Sequence, residues 1–534
     1  MTNRFRPAAL LLGGALALAG CQDLTVVNPN RPDAARATSQ PLTTENFVAT
    51  SFRTWWPVAG HDDYPSWAFS TMAQDVTSGF ADFGQLELSA IPRSAWNNSP
   101  VNARRNVNEL PWYQLYRTNS AATDVVQGVD NGLVIVDAAR TARAKAMGKF
   151  MQGLSHGYLG LYFDKAAVID EKVRLDTITT PQFLPYKDVV AAAITQLDAA
   201  ITVANSQPSM TFPADAWLFQ AMTKDQFVRL ANSMAARLMV YSARSRTERA
   251  AVNWNEVIRR VDAGIQQDFA PLAQLDILFD DWKRLMARLR TTNRPSDFGR
   301  PSYWLLGPAD STNGYLNWTN TPLESRMPFR ITTKDRRIQG PTGPTSLGKY
   351  MGYNVNNIFA VTRGTWRFSH YFYRRNGVDL TWQTGPQLAV TVTEMDLLKA
   401  EALIRLGRAA EAVPLINKSR VANGELPPVT VDGPPDQPGC VPRKLNGACG
   451  SLWDALRHEK GIEMVGVDGV TSFFDARGWQ TLPENTPIHF PIPGRELATL
   501  QLPNYTFGGP GGQGSAPAPD PERCPATGLA RCPQ

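Results

Sequence analysis

Apolar residues recur at helical spacing through much of the chain, and this periodicity constrains the fold more than any other feature. One stripe consists of Met147, Phe150, Leu154, Tyr158 and Leu161. Spacings of three and four residues place such side chains on one face of an amphipathic helix. Two more stripes comprise Tyr186, Val190, Ala193, Leu197 and Ile201, and Phe227, Leu230, Met234, Leu238 and Tyr241. The sequence therefore predicts a mainly α-helical protein whose helices pack face to face.

A turn glycine joins two shorter stripes into one unit. The stripes on either side of Gly407 comprise Met395, Leu398, Ala402 and Leu406, and Ala412, Val413 and Ile416. A helical hairpin with a small residue soon after its turn is typical of tetratricopeptide-like units. Because the helical segments do not repeat at a fixed length, we predict a degenerate tetratricopeptide-like αα superhelix, in which stacked pairs share a core.

Long irregular stretches interrupt the helices at about 50–105, 270–390 and 425–450, and they contain most of the 14 Trp residues. Insertions of this length in a compact domain are usually functional. Within the second, Asn376-Gly377 lies between apolar residues, which predicts one of a few short β-hairpins. Charge is spread thinly, since 54 Lys+Arg and 48 Asp+Glu give +6, and no basic run of five occurs. This composition does not indicate nucleic-acid binding.

The first 20 residues are typical of a bacterial lipoprotein signal peptide. Arg4 and Arg6 precede an apolar stretch from Pro7 to Gly20, which is too short to span a bilayer. Leu18-Ala19-Gly20-Cys21 matches the lipobox, in which the cysteine thiol receives a diacylglyceryl group. We therefore predict lipid attachment at Cys21, with two or three acyl chains anchoring the mature protein to a membrane. The alternative is a plain secretory peptide with an incidental cysteine.

The other four cysteines form two local pairs, Cys440 with Cys449 and Cys524 with Cys532. Outside the cytoplasm such pairs indicate disulfides that close small loops. A metal site would need shorter spacings or nearby histidines. The five histidines are scattered, so we expect neither a metal site nor a cofactor.

Several further segments, in a fixed order after the lipobox, carry a family resemblance. They are Asp23–Pro29, Ala142–Phe150, Glu394–Ala402, Ile416–Arg420, Glu459–Glu463, Phe473–Trp479 and Pro491–Leu497. Their order and content resemble the SusD/RagB family of outer-membrane nutrient-binding lipoproteins. One departure is Asp468–Ser472, which stands where the family commonly has Glu-Gly-x-Arg. Phe473, Phe474 and Trp479 are expected to be core anchors.

The resemblance implies a helical scaffold with a loop-rich face, at the cell surface in the outer membrane. It also implies a non-catalytic role, in which the protein binds a nutrient, most commonly a glycan, and delivers it to a SusC-like TonB-dependent barrel transporter. The expected organisation is a signal peptide over 1–20, an extended leader over 21–45, one SusD-like domain over 46–507 and a Gly/Pro-rich tail over 508–534.

Binding a sugar requires flat aromatic rings that stack on the pyranose and polar groups that reach its hydroxyls. The early loop and the mid-chain insertion, where family members tend to place ligand contacts, combine such residues. The candidates are Trp96, Asn97, Asn98, Tyr303, Trp304, Tyr315 and Trp318. The alternative for each aromatic residue is that it packs its loop onto the helices.

The runner-up function is a secreted, lipid-anchored hydrolase that acts on a polysaccharide. Gly153-Leu154-Ser155-His156-Gly157 fits the G-x-S-x-G pattern. A nucleophile elbow, however, requires a strand followed by a sharp turn into a helix. Here the motif lies inside a continuous helical stripe, so we interpret it as accidental and name no catalytic residue.

Overall fold

The structure is a computed structural model. It describes residues 40–60, 65–77, 84–173, 181–273, 299–343, 345–355, 361–375 and 385–519. The predicted signal peptide, Cys21, the Asn376-Gly377 hairpin and the Cys524–Cys532 pair lie outside these residues. So does most of the predicted leader.

Helices dominate the first half of the described chain. They are α1 (Pro41–Trp55), α2 (Pro57–Gly60), α3 (Pro65–Met72), α4 (Gln85–Leu88), α5 (Asn106–Asp130), α6 (Ala138–Tyr162), α7 (Tyr186–Asn205), α8 (Lys224–Tyr241), α9 (Arg246–Ala250) and α10 (Trp254–Asp262). All three long stripes lie on helices, which confirms the prediction. We expected an extended leader to residue 45, whereas α1 already begins at Pro41, because proline suits the first position of a helix.

Shorter helices alternate with irregular segments in the second half. They are α11 (Tyr303–Leu306), α12 (Gly314–Asn320), α13 (Val392–Arg405), α14 (Ala409–Ala422), α15 (Leu452–Met464), α16 (Thr471–Gly478) and α17 (Gly494–Thr499). Helices α13 and α14 form the predicted hairpin. Gly407 adopts a positive φ of 75° between them, and Ala412 is buried. The fold is mainly α and tetratricopeptide-like, as predicted.

Strands are short and pair two by two in antiparallel fashion. They are β1 (Val76–Thr77), β2 (Lys165–Ala167), β3 (Phe183–Pro185), β4 (Thr211–Phe212), β5 (Met222–Thr223), β6 (Leu272–Ala273), β7 (Arg300–Pro301), β8 (Met351–Tyr353), β9 (Tyr371–Tyr373) and β10 (Gly385–Pro386). The pairs are β1 with β7, β2 with β3, β4 with β5, β6 with β10 and β8 with β9. Met351 lies opposite Tyr373, so β8 and β9 form an antiparallel pair within the mid-chain insertion.

Helix α6 lies at the centre of the helical frame, by which we mean α5–α8. Asp137 caps its first turn by accepting a hydrogen bond from the Arg140 backbone amide at 2.7 Å. Glycines then allow neighbours to approach its backbone. A Cβ at Gly160 would lie 2.6 Å from Val190 Cγ2 and 3.1 Å from the Tyr186 carbonyl oxygen. Helices α6 and α7 can therefore pack closely only because this position lacks a side chain.

Buried ion pairs connect segments that are distant in sequence, both outside this frame and from α8 to later parts of the chain. Arg337 Nη2 lies 2.7 Å from Asp335 Oδ2, and Arg337 Nη1 lies 3.0 Å from Glu463 Oε1. Arg237 also pairs with Glu394 and lies 3.3 Å from Asp468 Oδ2. Asp468 Oδ1 in turn accepts a hydrogen bond from the Thr471 amide at 2.9 Å, where α16 begins. Asp468 thus connects α8 to the start of α16.

None of the helices in the described part of the chain combines the length and the apolar character needed to cross a membrane.

Candidate ligand-binding cleft

A cleft of about 150 Å³ lies between the mid-chain insertion and helices α15 and α16. Its walls come from four regions of the sequence, at 73–75, 304–315, 442–481 and residue 519. Residues that matter for its chemistry are Trp304, Tyr315, Arg443, Lys444, Arg457 and Trp479. The cleft combines aromatic rings with basic groups, which suits recognition of a polar ligand that has flat apolar faces.

Trp304 and Tyr315 form the aromatic wall, and both are half-buried. Their ring centroids are 6.4 Å apart and the rings are nearly perpendicular, at 85°. Trp318 lies behind them, with its centroid 5.2 Å from that of Trp304. The Arg326 guanidinium lies 4.8 Å from the Trp318 ring centroid, and burial lowers the pKa of Arg326 to about 10. The wall is thus supported from behind by packed side chains.

Asp310 fixes the backbone that carries Tyr315. Its carboxylate accepts hydrogen bonds from the Tyr315 amide at 2.8 Å and from the Thr312 hydroxyl at 2.9 Å. The ring of Tyr315 lies directly over Gly307, where a Cβ would be only 2.2 Å from a ring carbon. A larger residue at position 307 would displace the ring. Tyr315 is therefore held in a defined orientation before any ligand arrives.

The segment 440–449, which we call the disulfide loop, forms the opposite part of the wall. Cys440 and Cys449 are bonded, with their Cα atoms 5.8 Å apart, which confirms the predicted pair. The Arg443 amide donates to the Pro308 carbonyl at 2.7 Å, and Arg443 Nη1 donates to the Thr312 carbonyl at 2.7 Å. The loop is therefore docked on the same backbone that carries Trp304 and Tyr315.

Buried charges form the floor of the cleft. Lys460 Nζ lies 2.8 Å from Asp475 Oδ1, and Arg249 Nη2 lies 2.7 Å from the same oxygen. Lys460 is only 1% exposed. Trp479 Nε1 donates to Glu401 at 3.0 Å. Burial alone would raise the pKa of Glu401, but contact with Arg249 holds it well below its usual range. The charges of the floor are therefore already paired with one another, and burial raises the pKa of Asp475 within this network.

His458 also lines the cleft, and the buried carboxylate of Asp335 fixes the orientation of its ring. Its Nε2 lies 2.9 Å from Asp335 Oδ2. Burial alone would raise the pKa of Asp335, but Arg337 and then His458 hold that pKa well below the usual range. The ring therefore has a fixed orientation against a carboxylate.

The structure divides the predicted binding residues into two groups. Trp304 and Tyr315 meet in the cleft. Tyr303 and Trp318 belong to the same cluster but are 2% and 5% exposed, so they support the wall from inside. Sequence reasoning expected exposed rings at both positions, and burial against Phe329 and Arg326 explains the difference.

The early-loop candidates lie elsewhere. Trp96 is 5% exposed and packs edge-on against Phe490 at 5.2 Å, rather than offering an open stacking face. The Asn98 side chain is also buried, and its amide donates to the Ile492 carbonyl at 2.9 Å. Asn97 is exposed and, with Trp96, borders a separate hollow of about 220 Å³. The C-terminal segment that covers Trp96 and Asn98 could not be placed there from the sequence.

Sequence reasoning missed the basic residues of the cleft and misplaced Trp479. Phe473 and Phe474 are core anchors as expected, whereas Trp479 is half-buried and lines the cleft. Arg443 and Lys444 carried one usable signal, because they lie inside a predicted disulfide loop within a predicted insertion. Arg457 carried none, since it occupies an ordinary helical position.

Ser155 does not occupy a nucleophile elbow. It lies in the middle of α6 and is fully buried, at 0% exposure. The flanking glycines serve helix packing, since a Cβ at Gly153 would lie 2.8 Å from Leu197 and one at Gly157 would lie 2.6 Å from Leu238. The G-x-S-x-G match is accidental, as interpreted from the sequence.

No protein-family model matches the sequence, and no curated protein sequence matches it either. Solved structures do match. A SusD superfamily protein from Bacteroides thetaiotaomicron is 13% identical, with 86% of this chain and 97% of that chain covered and a TM-score of 0.56. A SusD-like carbohydrate-binding protein from Bacteroides fragilis is 15% identical, with 92% and 96% covered and a TM-score of 0.53. A laminarin-binding SusD-like protein is 14% identical, with 88% and 99% covered and a TM-score of 0.53.

These similarities extend over nearly the whole described chain and show that it has the SusD-like fold. The resemblance noted in the sequence is confirmed at the level of the fold.

Proposed function

We propose that this protein is a non-catalytic binding lipoprotein of the SusD type, which captures an oligosaccharide in the cleft between the mid-chain insertion and α15. The observation that carries the proposal is the pair of half-buried rings, Trp304 and Tyr315, fixed beside basic side chains on a SusD-like fold. The carbohydrate-binding and laminarin-binding structures that share this fold support a sugar ligand.

The cleft has the chemistry that sugar binding needs. The rings offer apolar faces for stacking, and Arg443 and Lys444 offer donors for hydroxyl or acidic oxygens. Glycoside hydrolysis requires two carboxyl groups free to exchange protons with the substrate. Here Asp475 is held by Lys460 and Arg249, and Asp454 caps α15. Because both carboxylates are already engaged within the protein, the cleft favours binding of a sugar over its cleavage.

Localisation and delivery form the second part of the proposal. The lipobox at Cys21 supports a lipid anchor in the outer membrane, with the protein exposed at the cell surface. The fold supports a SusC-like TonB-dependent barrel as the partner that receives the ligand. If Cys21 is the anchor, Cys21→Ser moves the protein from the membrane fraction to the soluble fraction. Membrane fractionation of that variant like the wild type would contradict the anchor.

Titration of the purified protein with oligosaccharides tests the binding proposal. We expect saturable quenching or a shift of Trp fluorescence, with no new reducing ends. Trp304→Ala removes one stacking face and should weaken binding by about 1–3 kcal/mol. Trp366→Ala, at a half-buried tryptophan outside the cleft lining, is the matched control and should leave affinity unchanged. Release of reducing ends, or equal effects of both variants, would contradict the proposal.

A further inference from the structure

Gln74 follows the end of α3 in a backbone conformation that favours glycine. Its φ is 63°. The Gln74 backbone amide donates to the Thr71 carbonyl at 3.1 Å. The Asp75 amide donates to the Ser70 carbonyl at 3.1 Å. These two bonds define a Schellman motif, in which the residue with positive φ is usually glycine, so termination of the helix does not require a glutamine here.

The side chain of Gln74 is buried but has no hydrogen-bond partner. Gln74 is 8% exposed, and its side-chain amide bonds to none of the described residues. Burial of an unbonded amide is unfavourable, so such groups are rare in folded proteins. Both polar atoms of this amide retain contact with open space, and the space beside Gln74 is the cleft, whose lining includes it. The amide is therefore placed to bond a group that enters the cleft.

The same motif follows two other helices, which shows what distinguishes position 74. Gln480 follows α16 with a φ of 57°, and Gln501 follows α17 with a φ of 55°. The Gln480 side chain donates to the Ala518 carbonyl at 3.1 Å, and Gln501 is exposed to water. Positive φ is therefore common to these three glutamines. Among them, burial without a partner occurs only at Gln74.

Ser472 adds a second uncharged polar group to this part of the cleft. It lies in the first turn of α16, lines the cleft and is half-buried. Its hydroxyl bonds to no residue in the described part of the chain. The Ser70 hydroxyl donates to the Gly469 carbonyl at 2.6 Å, which holds α3 against the segment that leads into α16. Gln74 and Ser472, which we call the polar wall, therefore belong to segments that are bonded to each other.

Two further hydrogen bonds connect the polar wall to the aromatic wall. The Asp75 carbonyl accepts from the Ser302 amide at 2.8 Å. Ser302 Oγ accepts from the Trp304 amide at 3.2 Å, where α11 begins. The turn that carries Gln74 is thus fixed relative to the helix that carries Trp304. Because stacking uses the face of a sugar ring, the hydroxyls at the edge of that ring stay available to polar groups nearby.

We infer that Gln74 and Ser472 are ligand-binding residues, which recognise uncharged hydroxyl groups of a sugar that stacks on Trp304. The Gln74 amide can donate from its nitrogen and accept at its oxygen, which matches a pair of adjacent hydroxyls. The Ser472 hydroxyl can donate to or accept from a third. The inference rests on the proposed function and specifies which groups of the sugar the cleft reads.

Calorimetric titration of the purified full-length protein with neutral hexasaccharides tests this inference. The panel comprises laminarihexaose, maltohexaose, cellohexaose and mannohexaose, and the one that the wild type binds most tightly is used for every variant. Gln74→Gly and Gln74→Met should each weaken its binding about tenfold, because two hydrogen bonds between uncharged groups are lost. Ser472→Ala should weaken it about threefold. Both losses should be equal at about 50 and about 500 mM salt, since no charge is removed.

Thermal denaturation separates a binding role from a structural one. Glycine is favoured at a positive φ, and alanine is a better helix former than serine. Gln74→Gly and Ser472→Ala should therefore leave Tm unchanged or raise it. Gln74→Met keeps the length of the side chain and removes only the amide. Gln501→Gly is the matched control and should keep wild-type affinity, because Gln501 occupies the same motif on the exposed surface outside the cleft lining.

The other outcomes separate this inference from the proposed function. Wild-type affinity in Gln74→Gly would overturn the inference and leave the proposed function intact, and wild-type affinity in Ser472→Ala would overturn the part that concerns Ser472. Equal weakening by Gln74→Gly and Gln501→Gly, or a lower Tm in both Gln74 variants, would show that the glutamine acts on the fold and would also overturn it. Absence of wild-type binding to all four hexasaccharides would overturn both.

Discussion

The helical frame and the cleft side of the molecule are stabilised in different ways. In the frame, α6 is surrounded by α5, α7 and α8, and its contacts are mostly apolar and close to the backbone, with a few buried hydrogen bonds among them. On the cleft side, buried ion pairs join α15 to the mid-chain insertion, a disulfide closes the disulfide loop, and hydrogen bonds to Asp310 order the insertion itself. The first arrangement distributes its stabilising contacts over many residues, whereas the second concentrates them in a few.

This difference indicates where a single substitution is most damaging. Truncation of one apolar side chain in a stripe lowers the free energy of unfolding by the burial of the removed atoms plus a contribution from any cavity that remains. Removal of one partner from a buried ion network leaves other charges buried without compensation. The cleft side should therefore be the more sensitive region, although the frame contains more of the core.

Arg337→Met should have the largest effect on stability. Arg337 bridges the mid-chain insertion to α15, and its removal leaves Asp335, Glu459 and Glu463 as buried carboxylates without their common cation. We expect the free energy of unfolding to fall by about 3–5 kcal/mol, measured by urea denaturation.

Arg408→Met provides the control, because Arg408 forms an exposed pair with Glu411. It should change stability little. If the two variants were equally stable, the cleft side would not depend on its buried charges.

The frame was predictable because its signal is local. A stripe such as Phe227, Leu230 and Met234 specifies a helix and its buried face from neighbouring residues alone. The turn at Gly407 and the Cys440–Cys449 pair are also local patterns, and both predictions are confirmed. The division into domains stays a prediction.

The cleft was only partly predictable because its contacts are long-range. Trp304 and Tyr315 lie close in sequence, so their meeting could be anticipated. Arg337 and Glu459, by contrast, are 122 residues apart, and no local pattern connects them. Trp96 has the sequence context of an exposed ring but packs on Phe490, far along the chain. Burial of a loop aromatic depends on which distant segment covers it, and periodicity contains no such information.

Gly160→Ala tests the frame and should have an intermediate effect. The added methyl group would press on Val190 Cγ2 at 2.6 Å and on the backbone of α7. We expect thermal and urea denaturation to show a loss of about 1–3 kcal/mol, reduced slightly by the better helix propensity of alanine. Thr202→Ala, on the exposed face of α7, is the control and should stay within about 0.5 kcal/mol of the wild type. If Gly160→Ala left the free energy of unfolding unchanged, α6 and α7 would be able to move apart without loss of stability.

Removal of the disulfide should have the smallest energetic effect and the most local one. In the double variant Cys440→Ser/Cys449→Ser, the disulfide loop loses its cross-link, while the helical frame keeps all its contacts. Arg443 then spends part of the time away from Pro308 and Thr312, so a ligand must order the loop when it binds. We expect affinity for the oligosaccharide that binds best to fall about tenfold, which corresponds to about 1.4 kcal/mol. Hydrogen exchange should show faster exchange at the Arg443 and Lys444 amides and unchanged protection in α6.

Chemical reduction of the wild type should reproduce both results, which separates the loss of the cross-link from the effect of the serine side chains. Wild-type affinity in the double variant, combined with increased exchange throughout α6, would reverse the comparison, because the loop would then stabilise the frame instead of the cleft.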